Sequence, residues 1–123
     1  MLLLLCAPAM AQPSSPEEDL SARIEVLWHT PELDQSVRRP LELARAALQR
    51  WQAATDDATK TRTEGLARAA VELAEARMRA LRERALLRAA QARRATSFAE
   101  KETARRALER ERARVSQLER GDP

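Results

Sequence analysis

Three observations predict an all-α chain, built as an elongated helical hairpin or three-helix bundle with one long, coiled-coil-like C-terminal helix. The first is composition: of 123 residues 33% are charged, while glycine occurs twice, phenylalanine once and tyrosine not at all. That is the A/E/K/L/R-rich signature of long helices. The second is the stretch from Gly65 to about Arg120, where Ala, Arg, Glu and Leu alternate without a proline or another glycine until Gly121. The third is apolar residues at helical spacing in the segments upstream. Apart from Trp28 and Trp51, the side chains available for burial are mostly Ala and Leu. A thin body, marginal in stability by itself, is therefore expected, as one helical domain over 12–123.

The chain opens on a run of leucines that ends in Ala9-Met10-Ala11, a small-x-small pattern of the kind signal peptidase cleaves, before the polar Gln12-Pro13-Ser14-Ser15. No Lys or Arg precedes the leucines, so residues 1–11 read as the back half of an export signal, with the start site assigned too far downstream. The run is too short for a transmembrane helix. Cys6, the sole cysteine, follows Leu5 where a lipoprotein signal requires a small residue, which favours cleavage after Ala11 and a mature chain without thiols. Lipidation at Cys6 is the alternative.

The first helix is predicted over about 16–29. Ser15 and Glu18 stand at capping-box spacing, Pro16 suits the first helical position, and Glu17, Glu18 and Asp19 lie on the positive end of the dipole. Leu20, Ile24, Leu27 and Trp28 share a face. Pro40 disfavours helical geometry at Arg39 and so is placed at the start of a second helix, about 40–54, with a stripe of Leu41, Ala44, Ala47, Leu48, Trp51 and Ala54. Thr55-Asp56-Asp57 is the turn into a third helix over 57–119, on the order of 90 Å long.

Two stripes run along the first half of that helix. Ala67, Ala70, Ala74, Met78, Leu81, Ala85, Ala89 and Ala92 form one, and Leu66, Leu73, Ala80 and Leu87 the other, which implies two packing neighbours. Beyond Phe98 the phase changes: Ala104, Leu108, Val115 and Leu118 make a stripe turned by roughly a third of a revolution. Either the helix breaks near Thr96-Ser97, or it continues and presents this stripe to another partner such as a second copy. Continuation is favoured because no glycine or proline intervenes.

Charge is uneven although its net value is only +3. Between Arg77 and Arg94 seven arginines (Arg77, Arg79, Arg82, Arg84, Arg88, Arg93 and Arg94) face one acid, Glu83. They form a candidate surface for an anionic partner: polymer, lipid or nucleic acid. Arginine replaces lysine through most of the chain, and the acidic first helix can neutralise the basic stretch, so a nucleic-acid partner is disfavoured. A protein partner or homo-oligomer is expected instead, with the cell wall or a membrane surface as further candidates.

Catalytic chemistry has few residues to draw on. His29 is the single histidine and sits at a helix end, and no second His or Cys accompanies it to complete a metal site or nucleophile pair. No catalytic, cofactor or metal residues are assigned, and no cofactor is expected.

The run Pro40-Leu-Glu-Leu-Ala-Arg-Ala-Ala-Leu48, the acidic turn Asp56-Asp57 and the run Gly65-Leu-Ala-Arg-Ala-Ala-Val-Glu-Leu-Ala-Glu-Ala76 resemble a domain-of-unknown-function family of exported bacterial proteins. Those are Ala/Arg/Glu-rich helical hairpins, sometimes found beside outer-membrane-protein-A-like domains. The resemblance covers roughly residues 36–95. It implies an exported hairpin in the periplasm or cell envelope and carries no catalytic residues.

Overall fold

The computed structural model describes residues 14–121, and the signal-like segment 1–11 with Cys6 lies outside them. The fold is all-α: α1 spans Pro16–Trp28, α2 Gln35–Ala53 and α3 Asp57–Glu119. The described chain divides within α3, between Ala80 and Leu81, into two compact units.

α1 begins as its sequence predicts. The Glu18 amide donates to the Ser15 hydroxyl, and the Ser15 amide donates back to the Glu18 carboxylate, with Pro16 opening the helix. α2 corrects the expected start at residue 40, because it begins five residues earlier, at Gln35. Asp34 is the cause: its carboxylate accepts from the Ser36 and Val37 amides and satisfies the first turn. The earlier start also carries Val37 into the core, fully buried. The preference of a pre-proline residue for extended geometry yields to this cap and to that burial.

Pro40 then lies inside the helix and is itself buried. Lacking an N–H, it leaves the carbonyl four residues back, that of Ser36, without its helical donor. The Arg77 guanidinium supplies one, donating to Ser36 O at 2.6 Å. A side chain on α3 thus completes the backbone ladder of α2.

α2 ends at Ala53, with extended geometry at Ala54. α3 follows after a cap on Asp56, whose carboxylate accepts from the Thr59 amide at 2.7 Å and whose carbonyl accepts from Lys60. α3 passes Thr96-Ser97 without a break, and the Thr96 hydroxyl donates back to Ala92 O. At its end Gly121 adopts a positive φ of 68°, open to glycine at no steric cost, and its amide donates to Leu118 O.

The first unit is a three-helix bundle. Leu20, Ile24 and Leu27 from α1 are buried, with Val37, Leu41, Ala44, Ala47 and Leu48 from α2 and Ala67, Ala70, Val71, Ala74 and Met78 from α3. Cross-links at Glu17–Gln52 and Glu25–Arg45 show α1 and α2 antiparallel. The predicted pair of stripes on α3 resolves here into a single wide band: Thr63 and Val71 join the alanine stripe, whereas Leu66 and Leu73 remain 40% and 45% exposed. Both partners meet the same side of α3, because alanine and threonine leave room for two neighbours close together. Thr63 is satisfied within its own helix by Thr59 O.

The Ser36 carbonyl yields a direct test. Pro40→Ala restores a backbone donor to it, so the cost of Arg77→Ala in denaturant unfolding should fall by about 0.5–1 kcal/mol in the Pro40→Ala background. Equal costs in both backgrounds would show that Arg77 does not serve this carbonyl.

Candidate interaction surfaces

In the first unit, arginines pair with acids across helices. Arg23 on α1 forms a two-pronged bond to Glu75 on α3, Nε and Nη2 each 2.9 Å from a carboxylate oxygen. Both side chains are largely covered, at 29% and 28% exposure. The Arg23 hydrogen bond holds the Glu75 carboxyl below its ordinary range against the opposing effect of burial, and the same bond raises Arg23. Arg45 on α2 donates to Glu25 at 2.6 Å and lays its guanidinium 4.1 Å from the centre of the half-buried Trp28 ring. Arg45 likewise lowers Glu25. His29 sits at the C-cap of α1, exposed, with Nε2 3.3 Å from Glu25.

The seven predicted anion-binding arginines fall into different roles. Arg77 is spent on Ser36 O and adds favourable charge toward Asp34. Arg79 acts electrostatically on Glu75, and Arg82 also has an interaction partner. Arg84, Arg88, Arg93 and Arg94, all in the second unit, are exposed and make no ion pair or side-chain hydrogen bond among the described residues. At 100° per residue Arg84 and Arg88 share one side of the helix, Arg93 lies nearly opposite, and Arg94 points between them. They surround the helix rather than converge on one ligand.

The second unit, 81–121, contains one helical segment. Its Leu86, Leu87, Phe98, Leu108, Val115 and Leu118 are between 50% and 72% exposed. Of the predicted self-association stripe, Ala104, Leu108, Val115 and Leu118 are all exposed and lie along one face of this helix. Ion pairs within the helix, Arg105 to Glu109 and Arg106 to Glu102, lie off this face, the second on the far side of the helix at 100° per residue. A shallow recess formed by Thr103, Arg106, Glu109, Arg110 and Ala113 also lies here. Five side chains on one face of a single helix cannot enclose a small substrate.

Sequence reasoning did not find the capping role of Arg77 or the Arg23–Glu75 pair. Pro40 was the available signal for the first: a proline inside a helix frees a specific carbonyl. Among the described residues no helix is long and apolar enough to cross a membrane, and no cluster of His, Cys, Asp or Glu is arranged to hold a metal ion. No family model matches the chain, and no match was found among curated proteins or solved structures.

Depressed carboxylates set the acid response. Glu75, Glu25 and the capping Asp34 and Asp56 lie below their ordinary values, so the stability they contribute is present above the ordinary carboxylate range and is lost as pH falls through the depressed values. The melting temperature should hold from pH 7 to about 5 and fall below about pH 4, less steeply in Glu75→Gln. Arg23→Met leaves Glu75 without its partner and should cost about 1–2 kcal/mol. Arg88→Gln and Arg93→Gln, on free side chains, should stay within about 0.5 kcal/mol of the parent in the same unfolding measurement.

Proposed function

We propose that this chain is a non-catalytic structural or interaction module of a bacterial cell envelope that self-associates through the C-terminal part of α3. The observation that carries this reading is the uncovered apolar face of the second unit. On that face Leu87, Leu108, Val115 and Leu118 are each at least half exposed, and apolar side chains aligned along one side of a helix gain most from a partner helix. The signal-like start and the resemblance to exported helical hairpins support the envelope as the location. With a single histidine and a single cysteine in the whole sequence, a scaffold fits the chain better than an enzyme.

Sedimentation should reveal concentration-dependent association, and amide exchange over 84–118 should slow as protein concentration rises. A chain that stays monomeric at high concentration would remove self-association. In its native host the tagged full-length chain should fractionate with the periplasm or envelope. Recovery from the cytosol would remove the location.

A second reading, binding of an anionic polymer, lipid or nucleic acid through Arg77 to Arg94, is favoured by the exposed and unpaired Arg84, Arg88, Arg93 and Arg94. It expects binding to polyphosphate or anionic vesicles that weakens steeply with salt. Binding left unchanged by Arg84→Gln with Arg88→Gln would sink it.

A further inference from the structure

The apolar face of the second unit follows a seven-residue period. Leu87, Arg94, Lys101, Leu108 and Val115 stand seven apart, and Ala90, Ser97, Ala104, Glu111 and Leu118 stand seven apart three residues behind them. These are the a and d positions of one coiled-coil frame, and the large apolar members of both sets are at least half exposed. The frame is interrupted by charge at Arg94, Lys101 and Glu111, and those interruptions discriminate between ways of pairing two helices.

In a parallel pair in register, each a residue meets its own copy and each d residue does likewise. Arg94 would face Arg94, Lys101 would face Lys101 and Glu111 would face Glu111, placing like charges at three levels of the seam. An antiparallel pair instead sets a against d. In the register centred between Glu102 and Thr103, Leu87 meets the partner's Leu118, and Ala90 meets the partner's Val115. Arg94 meets the partner's Glu111. Ser97 then lies opposite the partner's Leu108, and Lys101 opposite the partner's Ala104, a small residue across which a lysine stem can lie with its ammonium in water. By symmetry every level occurs twice, so two Arg–Glu levels replace the like-charge ones.

We propose that the second unit pairs with a second copy of this chain as an antiparallel coiled coil in this register, with Arg94 of each copy on the partner's Glu111. The proposal rests on the self-association reading and specifies its geometry. Neither Arg94 nor Glu111 has an ion pair or side-chain hydrogen bond among the described residues, so both are available. At the flanks of the antiparallel pair Arg84 meets the partner's Glu119 while Arg93 meets the partner's Arg114, and these offset each other. A parallel pair would gain Glu100 on the partner's Arg105 and Arg114 on the partner's Glu119. These are solvent-exposed pairs of small worth, and Arg105 is already engaged by Glu109 of its own helix, so the three like-charge levels of the seam decide orientation. Sliding by one heptad would set Lys101 on the partner's Glu111, but it leaves Leu87 unpaired and seats Arg94 on Leu118.

The experiment uses the full chain with Cys6→Ser, single cysteines introduced by Leu87→Cys, Arg94→Cys or Leu118→Cys, and a short bismaleimide. Mixing Leu87→Cys with Leu118→Cys chains should give a cross-linked heterodimer, and neither chain should cross-link to itself, since identical positions lie far from each other in this register. Arg94→Glu should weaken association at least about tenfold, and adding Glu111→Arg to it should restore affinity. Circular dichroism should report unchanged helix content in each variant. Cross-linking of Leu118→Cys to itself would overturn the antiparallel orientation, and preferential cross-linking of Leu118→Cys to Arg94→Cys would overturn the register. Charge reversal at Arg94 without effect on affinity would overturn the Arg94–Glu111 match. Each of these leaves self-association standing, whereas a monomer at all concentrations removes both.

Discussion

Close approach at alanine is the constraint on which the first unit depends. Ala44, Ala47, Ala67, Ala70 and Ala74 are almost completely covered, and a methyl group is hidden only when a neighbouring helix comes very near. Few large side chains are present to fill a wider gap: the fully buried ones are Leu20, Ile24, Leu41, Met78, Val37 and Val71. A bundle packed in this way gains less from each residue buried than one filled with leucine and phenylalanine. It therefore depends on good helix ends and on pairs at the rim of the core. Ser15, Asp34 and Asp56 supply the first, and Arg23, Arg45 and Arg77 the second.

Much of this architecture was legible in local sequence signals. The capping box at Ser15 and Glu18, the turn before Asp57 and the uninterrupted run to Glu119 each rest on short-range physics, and the helices end within a residue of where those signals put them. The start of α2 was not legible in the same way. Pro40 is a strong local signal for a helix beginning, but Asp34 offers an equally good cap six residues earlier, and burying Val37 decides between them. Such a choice depends on tertiary packing. The same is true of Leu66 and Leu73, whose heptad spacing marks a face but not whether anything covers it within the first unit.

The arginines show the limit of reading function from charge. A dense basic segment invites a phosphate-binding reading, yet the members nearest the bundle are engaged in holding it together. Arg77 serves a backbone carbonyl, and Arg79 strengthens the ionised state of Glu75. Only side-chain geometry distinguishes these from Arg84, Arg88, Arg93 and Arg94. The apolar residues of the second unit present the reverse case: their period was visible in the sequence, but their exposure makes them candidates for contact with another chain rather than members of a core.

The bond from Arg77 to the Ser36 carbonyl also bears on how this sequence can change over generations. A proline inside α2 and an arginine 37 positions downstream form one unit of inheritance, because each makes sense of the other. Loss of the arginine first leaves an α2 carbonyl without its protein donor, whereas loss of the proline first leaves the arginine merely redundant. Substitution at the two sites therefore has a preferred order, with position 40 changing before position 77, although no simple reading of either residue alone would connect them.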